Sequence, residues 1–220
     1  MPTNDGNTHD AKPNVRKRTY RKRKRARQEA ETRRRITEAV VELHRTVGPA
    51  RTTVTEVAEL AGVSRMTVYN HFPTDADLIE ACSTHWSARN PAPPPSSWAD
   101  VAVGPERLAA ALGDVYRWYR GAQDMMERVL RDAPIVAPLG ELMDARWQPY
   151  VEEVVRSLAA SWPAEAGRTQ ALEAALRLAV DFHTWQVLKR SGMDDDQAVD
   201  LAVRMVAGAR AASGRPSGGR

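Results

Sequence analysis

Residues Gly62–Phe72 read GVSRMTVYNHF, and this stretch decides the fold because it carries the signals of a tight turn followed by a short helix. Gly62 can adopt the left-handed conformation that ends a preceding helix. Ser64 is a residue type that caps the helix after it. The Phe-Pro pair at the end closes that helix, since a residue before proline avoids the helical region. The stretch therefore predicts a helix over Arg65–His71.

The segment just upstream predicts another short helix. Thr53 and, three residues later, Glu56 form a capping box that starts a helix at Val54. Gly62 stops this helix after about eight residues. Its inward-facing residues are predicted to be Val57, Ala58 and either Leu60 or Ala61. Two short helices joined by about four residues around a glycine are the helix-turn-helix pattern.

The two faces of the second short helix differ in chemistry. Val68 and Phe72 are four residues apart and share a face, which must be the buried one. The outer face has no acid and carries hydrogen-bonding or methyl-bearing groups of modest length: Arg65, Met66, Thr67, Tyr69, Asn70 and His71. Such groups can read base edges or contact phosphates in a DNA major groove.

Two further helices flank the pair. A first helix is predicted from about Glu29 to Thr46, and the sequence GPA after it ends it. Its apolar residues have helical spacing: Ile36, Ala39, Val40, Leu43 and Val47. Thr74 with Asp77 repeats the capping signal and predicts a helix over Asp75–Trp86.

At these residues a family resemblance becomes specific. The stretch Thr52–Cys82 closely resembles the DNA-binding region of the tetracycline-repressor (TetR) family, in which a Thr- or Ser-capped helix, AxxAGVS, xTxYxHF and a capped fourth helix follow one another. The matching residues are Thr53, Ala58, Ala61, Gly62, Val63, Ser64, Thr67, Tyr69, His71, Phe72 and Leu78. With the first helix, the resemblance covers roughly residues 29–86.

The resemblance implies roles for individual residues. Tyr69 and His71 match positions that contact the DNA backbone, and Asn70 is expected to meet either adenine or a phosphate. The DNA-contacting set expected for the two short helices is Thr53, Thr55, Ser64, Arg65, Met66, Thr67, Tyr69, Asn70 and His71. One position departs from the pattern, because Asp75 stands where the family often has a phosphate-contacting Lys.

The charge is distributed unevenly along the chain. Residues 1–35 hold 13 of the 32 Lys and Arg but 4 of the 28 Asp and Glu, a net charge of +9, whereas the remainder carries −5. Residues 1–28 are predicted to be a disordered basic arm, extended when free, because the run Arg16–Arg27 repels itself. We expect the arm, with Arg21, Arg23 and Arg25, to enter the flanking minor groove of DNA, to release counterions there and so to compensate for Asp75. A solvated or localisation tail is the alternative interpretation.

The whole chain is predicted to be all-α, with an N-terminal three-helix helix-turn-helix DNA-binding domain over residues 29–88 and a larger C-terminal helical ligand-binding and dimerisation domain over 104–212. A Pro-rich linker, 89–103, separates them, and 213–220 is expected to be a flexible tail. The predicted C-terminal helices are Pro105–Arg120, Gln123–Arg131, Leu139–Ala160, Ala164–Lys189 and Asp194–Ala211.

The resemblance implies a homodimer and a small effector for the C-terminal domain. The last two helices carry a small and aliphatic stripe predicted to form the dimer seam: Leu172, Ala175, Leu176, Ala179, Ala198, Leu201, Ala202, Met205 and Ala209. The aromatic and Met residues of the middle helices suit an apolar or aromatic ligand, with a cation as one option. The expected ligand-binding residues are Trp118, Met126, Trp147, Phe182 and His183, although core packing explains any single one of them as well.

Other chemistry finds little support in the sequence. The single cysteine, Cys82, excludes an internal disulfide, and no HExxH, GxSxG or Gly-rich phosphate loop occurs, so no enzyme, metal or cofactor is expected. No apolar run is long enough to span a membrane, and no secretory signal is predicted, which favours a cytoplasmic, nucleoid-associated protein. The predicted function is a transcriptional regulator, in the first place a repressor, of a near-palindromic double-stranded DNA operator. A constitutive or architectural DNA-binding dimer and an activator are the alternatives.

Overall fold

The computed structural model describes residues 12–211, with side chains from residue 18 onward. The predicted arm before residue 12 and the predicted tail at 213–220 lie outside the described residues. Within 12–211 the chain forms ten α-helices and no strand, as predicted for an all-α fold. The helices are α1 Lys12–Thr46, α2 Val54–Ala61, α3 Arg65–His71, α4 Asp75–Arg89, α5 Pro105–Asp132, α6 Ala137–Leu142, α7 Gln148–Ser161, α8 Thr169–Ala179, α9 Phe182–Arg190 and α10 Asp195–Arg210.

Helix α1 is longer than predicted. It spans 35 residues, so the prediction of a disordered, extended arm is wrong for residues 12–28. No Gly or Pro interrupts residues 14–47, and Arg, Lys, Ala and Gln favour the helix. An ion pair one turn apart, Arg25 Nε to Glu29 Oε1 at 3.0 Å, adds to this. The helix distributes its positive charges around an exposed surface, where water screens them.

The first four helices share one apolar core, and the two short helices have the predicted bounds. Buried residues from α1 to α4 and from the turn after α3 pack together: Ile36, Ala39, Val40, Val57, Ala58, Ala61, Val68, Phe72, Leu78 and Cys82. Leu60 and Ala61 were the two candidates for the inward-facing position near the end of α2. Ala61 is buried, whereas Leu60 is 54% exposed. Helix α2 therefore packs through its Val57–Ala58–Ala61 face.

Helix α5 is the central element of the C-terminal half, and it is continuous where two helices were predicted. Gly121, which falls between the two predicted helices, lies in the middle of α5 on an exposed face, with no atom near the position that a Cβ would occupy. A single exposed glycine costs a helix only about 1 kcal/mol. The buried face of α5 offsets this cost, because it contributes Leu108, Leu112, Val115, Tyr116 and Tyr119 to the second core.

Helices α6 and α7 replace the single helix predicted over Leu139–Ala160. They are joined without a break by a wider π-helical turn over Met143–Trp147. Pro149 lies just after this turn and has no N–H to donate to the carbonyl four residues earlier. The wider turn accommodates that missing bond, and it carries Trp147 on its inner side.

The single helix predicted over Ala164–Lys189 is instead divided into α8 and α9. The Asp181 side chain caps α9 by accepting a hydrogen bond from the Thr184 N–H at 2.8 Å. The carbonyls at the break are buried and are satisfied by two tyrosines of α5. The Tyr116 hydroxyl donates to the Ala179 carbonyl at 2.8 Å, and the Tyr119 hydroxyl donates to the Val180 carbonyl at 2.5 Å.

The small and aliphatic stripe predicted as a dimer seam lies largely inside the protomer. Six of its residues are buried in the core of the C-terminal half: Leu172, Ala175, Leu176, Ala179, Ala198 and Ala202. They hold α8 and α10 against this protomer's own α5 and α7, so their assignment to a dimer contact is wrong. The apolar side chains that α8, α9 and α10 leave exposed are Leu178, Val187 and Met205.

A set of hydrogen bonds, the clasp, joins the end of α5 to the end of α1 and to the loop after it. The clasp thus connects the C-terminal half (α5–α10) to the DNA-binding half (α1–α4). Arg128 Nε donates to the Thr46 carbonyl at 2.7 Å, and Arg131 Nη2 donates to the Val47 carbonyl at 3.1 Å. The Asp132 carboxylate accepts from the Ala50 N–H at 3.0 Å. The proline-rich segment also packs against the body of the protein, since Trp98 is buried and donates to Asp114 at 3.0 Å.

Candidate nucleic-acid interface and apolar cavity

The turn between α2 and α3 is built from the signals seen in the sequence. Both halves of the capping box are present, with the Glu56 N–H donating to Thr53 Oγ1 at 3.2 Å and the Thr53 N–H donating to Glu56 Oε2 at 2.9 Å. Gly62 is left-handed, with φ of 63°. The Thr67 N–H donates to Ser64 Oγ at 3.1 Å, which caps α3. These predicted caps are confirmed.

Two arginines of α1, which the sequence did not single out, fix the ends of the short helices. Arg35 donates to the carbonyls of Ala61 and Gly62 at the end of α2. Arg33 Nη1 donates to the His71 carbonyl at 2.6 Å, and its guanidinium lies 4.0 Å from the centre of the Phe72 ring. Cations suit the negative ends of helices. Both arginines therefore set the angle at which α3 leaves the core.

Helix α3 presents the predicted face to solvent. Val68 and Phe72 are 0% and 1% exposed, whereas Met66 and Tyr69 are 68% and 49% exposed. Arg65 and Asn70 are also exposed, and Thr67 and His71 are half-buried. Thr53, Thr55 and Ser64 lie exposed at the starts of α2 and α3. The predicted residues thus form one continuous polar and methyl-bearing surface, and their contacts with DNA stay predictions.

The three arginines predicted for the basic arm lie on α1 and are exposed. Arg21 and Arg25 are four residues apart and share one face of the helix, whereas Arg23 lies on the other side. Arg25 is also paired with Glu29. A helical arm therefore divides its charges between two faces.

An apolar cavity of about 250 Å³ lies between the two halves. The DNA-side wall comes from α1 and α4 and the region after α4, and the other wall comes from α5, α6, the π turn and α7. Its lining consists of His44, Ile79, Cys82, Ser83, Trp86, Ser87, Asn90, Ala92, Trp118, Met125, Met126, Val129, Leu139, Leu142, Met143, Arg146, Trp147 and Tyr150.

Aromatic rings dominate the lining. The Trp118 and Trp147 rings are stacked with centroids 5.6 Å apart, and Trp86 meets Trp118 edge-on at 6.0 Å. Tyr150 lies 5.2 Å from Trp147. The polar ends of two of these rings are already engaged, since Trp118 Nε1 donates to the Asn90 carbonyl and the Tyr150 hydroxyl donates to the Pro93 carbonyl. The cavity therefore presents ring faces and edges to an occupant.

The predicted pocket residues divide into two groups. Trp118, Met126 and Trp147 line the cavity. Phe182 does not line it, because it is buried against Tyr119 in the core, with ring centroids 5.2 Å apart. His183 does not line it either, since its side chain is 64% exposed on the surface of α9. The break before α9 turns both residues away from the space.

Sequence reasoning missed the cavity residues contributed by α1 and α4, among them His44, Cys82 and Trp86. They belong to the helices that carry the DNA-reading module, and their spacing marks them only as core. Nothing local shows that the far ends of these helices face a second domain. An isolated aromatic, Trp86, near the end of the fourth helix was the one available signal.

Burial perturbs two titratable groups of the lining. It lowers the pKa of His44 to about 4, although the nearby Asp132 carboxylate opposes that shift. It raises the pKa of the Cys82 thiol to about 12. Near pH 7 both groups are therefore neutral, and the cavity contains no ionised group from either of them.

Asp132 is the charged group next to this region, and it remains ionised. Its burial by itself raises the pKa of its carboxyl, but hydrogen bonds from Arg131 and from the Ala50 N–H outweigh that effect and hold the pKa below its ordinary value. Arg131 Nε donates to Asp132 Oδ1 at 2.6 Å. Asp132 thus joins α5 to the loop after α1 as a hydrogen-bonded anion.

Other kinds of site are not found in the part of the chain that the structure describes. Over residues 12–211, no group of three or more His, Cys, Asp or Glu side chains is arranged to hold a metal ion. No helix in the same part of the chain is long and apolar enough to cross a membrane.

An all-helical chain in which a short exposed helix follows a capped helix and a tight glycine turn has the architecture of helix-turn-helix DNA-binding proteins. Residues 36–82 match the family model described as "Bacterial regulatory proteins, tetR family". The HTH-type transcriptional regulator TtgR of Pseudomonas putida is 46% identical over 59 residues, which are 26% of this chain and 28% of TtgR. The chain thus matches less than a third of that relative's length.

Two solved structures share the fold at low identity. A TetR-like transcriptional regulator from Rhodococcus sp. RHA1 superposes with a TM-score of 0.54 at 18% identity, covering 80% of this chain and 93% of that one. FadR from Bacillus subtilis, in complex with stearoyl-CoA, gives a TM-score of 0.54 at 16% identity, covering 80% of this chain and 96% of that one. Residues 36–82 thus resemble the TetR family of bacterial regulatory proteins, and the solved structures share the fold of this chain.

Proposed function

We propose that this protein is a transcriptional repressor that binds a near-palindromic DNA operator as a homodimer and releases it when a small apolar or aromatic molecule fills the cavity. The observation that carries the proposal is the position of the cavity. Helix α4 begins directly after the recognition helix α3 and lines the cavity with its last turns. A change at one end of α4 therefore moves the helix that reads DNA.

The release mechanism requires two arrangements of the two halves. The effector must bind one arrangement more tightly than the other, since equal affinity shifts no equilibrium. The α5 clasp onto Thr46, Val47 and Ala50 is the point about which the DNA-binding half turns. Filling the space between Trp86 and Trp147 favours the arrangement that separates α4 from α6.

The cavity also limits the size of the effector. FadR is seen with stearoyl-CoA. A volume of about 250 Å³ is below the roughly 300–1,000 Å³ of drug-sized sites. We therefore propose an effector much smaller than an acyl-CoA. The cavity favours an effector-controlled regulator over a constitutive or architectural DNA-binding dimer.

The dimer and the arm complete the proposal. Exposed apolar side chains on the outer surface of α8 to α10, such as Leu178 and Met205, the exposed residue of the predicted stripe, supply the dimer contact in place of the six buried stripe residues. A two-fold dimer presents two copies of α3 to successive major grooves, about 34 Å apart. The basic first half of α1 follows the phosphates beside each half-site. The protein acts as a regulator at the nucleoid, with no enzymatic step.

Selection of DNA from a random pool by the purified protein tests this function. We expect an enriched near-palindrome that binds with two protomers per site, measured by gel shift and by light scattering of the complex. Addition of a compound that raises the melting temperature should dissociate this DNA. Enrichment of no sequence, or of a site bound by one protomer, would contradict the proposal.

A further inference from the structure

The cavity is lined by a histidine whose ring forms no hydrogen bond with a described residue. His44 is 6% exposed and lines the space from the last turns of α1. The Asp132 carboxylate acts on this ring only through space. The fully buried side-chain atoms without a hydrogen-bond partner lie elsewhere, on Trp185, Gln186, Asp195 and Arg210, so the ring nitrogens of His44 remain accessible to a small molecule.

Apart from the indole N–H donors of Trp86 and Trp147, the other polar groups of the lining are engaged or lie at the mouth. Asn90 Nδ2 donates to the Trp86 carbonyl at 3.0 Å. Arg146 contacts Glu80, Ser83 and Thr84. Ser87 is exposed. The Cys82 thiol is buried but is a weak donor. His44 is therefore the group inside the cavity that can both donate to a ligand and accept from it.

The walls favour a ligand without charge. No carboxylate of the described residues lines the cavity, so a buried cation would have no counter-ion there. Arg146, the one cationic residue of the lining, is paired with Glu80, and its side chain is 48% exposed. A carboxylate ligand would therefore have to compete with Glu80. Burying an unpaired charge is expensive, whereas a neutral ring stacks on Trp118 or Trp147.

The neutral imidazole of His44 narrows the chemical class of the ligand further. Near pH 7 the ring is uncharged, because burial lowers its pKa to about 4. A neutral imidazole has one N–H donor and one acceptor nitrogen. A hydroxyl group can both donate and accept, so it satisfies whichever ring nitrogen faces the cavity. A carbonyl or an ether could only accept.

We propose that His44 is the specificity-determining residue of the effector site, and that the effector is a compact, neutral ring compound whose single hydroxyl group hydrogen-bonds to the His44 ring. This inference rests on the effector site proposed above and assigns its ligand class. It also gives the ligand a direct contact with α1, the helix whose Arg33 and Arg35 hold α2 and α3.

Four probes with the same two-ring skeleton test the inference on the full-length protein. They are naphthalene, 1-naphthol, 1-naphthoate and 1-naphthylmethylammonium, with dissociation constants from calorimetry and from tryptophan fluorescence. We expect 1-naphthol to bind about three- to tenfold more tightly than naphthalene, the ratio that one net hydrogen bond supplies. Both charged probes should bind more weakly than 1-naphthol.

Variants then assign the hydrogen bond to one side chain. His44→Leu should reduce the ratio of the 1-naphthol and naphthalene affinities to about one while it retains naphthalene binding, and His44→Gln should restore part of the ratio. His183→Leu, which changes an exposed histidine outside the cavity, should leave the ratio as in the wild type. Retained naphthalene binding shows that His44→Leu is folded.

The outcomes separate this inference from the function on which it rests. Equal affinities for naphthalene and 1-naphthol, or a ratio that survives in His44→Leu, would overturn the role of His44 and leave the effector site intact. Tighter binding of 1-naphthoate or 1-naphthylmethylammonium than of 1-naphthol would overturn the proposal that the effector is neutral. Binding of none of the four probes to the wild type would refute the cavity as a site for compact ring compounds.

Discussion

The DNA-binding half and the C-terminal half of this molecule differ in what determines where their helices end. In the first half the ends of α2 and α3 are set by neighbours in sequence, such as Thr53 with Glu56 and Ser64 with Thr67. In the second half the break between α8 and α9 depends on Tyr116 and Tyr119, more than 60 residues away along the chain. Local signals can be read from a sequence, whereas distant partners are defined only when the chain is packed.

The largest effect that tests this comparison is expected for Phe72, which is buried in the core of the DNA-binding half. Phe72→Ala should lower the free energy of unfolding by about 3–5 kcal/mol, because the ring is buried beneath Arg33. Urea unfolding measures it. Met66→Ala, on the exposed face of the same helix, is the control and should change the stability by less than about 0.5 kcal/mol. Equal losses for the two variants would mean that α3 faces the other way.

A pH-dependent effect of similar origin is expected at His44. The ordinary pKa of histidine is about 6.5, and burial lowers that of His44 to about 4, so between these values the unfolded chain binds a proton that the folded protein excludes. The contribution of His44 therefore falls as the pH falls, by about 2–3 kcal/mol from about pH 7 to about pH 4.5. Asp132 stays ionised over this window, since its pKa is below the ordinary value.

Urea unfolding of the wild type and of His44→Gln at both pH values measures this contribution. The loss on acidification should be smaller in the variant by the stated amount. An identical pH dependence in the two proteins would show that the ring is accessible to water, which would also weaken its assignment as the buried polar group of the cavity.

A smaller effect is expected at the clasp between the halves. Asp132→Ala should cost about 1–3 kcal/mol, because it leaves the Ala50 N–H and Arg131 without their acceptor. Asp124→Ala is the matched control, since Asp124 also reaches α1 from α5, through Arg45, but is 64% exposed. An exposed pair of this kind contributes at most about 1 kcal/mol. Thermal melting separates the two variants, and a larger loss for Asp124→Ala would argue against the clasp.

The smallest effect on the fold, and a graded one on DNA binding, is expected for the basic arm. Deleting residues 1–26 should leave the melting temperature unchanged, because the core begins at Ile36. Operator affinity and its dependence on salt should both fall, by about 0.9 in the logarithmic slope for each phosphate that the arm no longer neutralises. Adding Asp75→Lys to the deletion should restore part of the affinity, since it returns a cation beside the recognition helix.

Gel shifts over a series of salt concentrations measure the slope. An unchanged affinity and slope after the deletion would show that the arm does not contact DNA. If the deletion lowers the affinity and Asp75→Lys does not improve it, the arm contacts DNA but does not compensate for the acidic residue at the start of α4.

The sequence was sufficient to predict the helix-turn-helix pair α2 and α3, but it was insufficient to predict the rest of the fold. Caps at Thr53, Ser64 and Thr74 were correct, because each depends on atoms within three residues. The continuity of α5, the break before Phe182 and the burial of the stripe on α8 and α10 were wrongly predicted, because long-range packing decides them. The apolar spacing of α8 and α10 shows that their small residues are buried, but not against which partner.

The cavity was predicted only in part for the same reason. Trp118 and Trp147 were identified by their chemistry, and both line it. The opposite wall comes from α1 and α4, whose spacing indicates only a DNA-binding core. The cavity therefore lies between the DNA-binding half, whose helix ends are determined by local signals, and the C-terminal half, whose helix ends are not.

The most direct test of the central claim, that the exposed face of α3 reads DNA, is the operator affinity of Tyr69→Ala measured beside its melting temperature. Tyr69 is 49% exposed beside the buried face that Val68 and Phe72 form. We predict a large loss of operator binding with an unchanged melting temperature. Full operator affinity in Tyr69→Ala, or unfolding of this variant while Phe72→Ala stays folded, would contradict the claim.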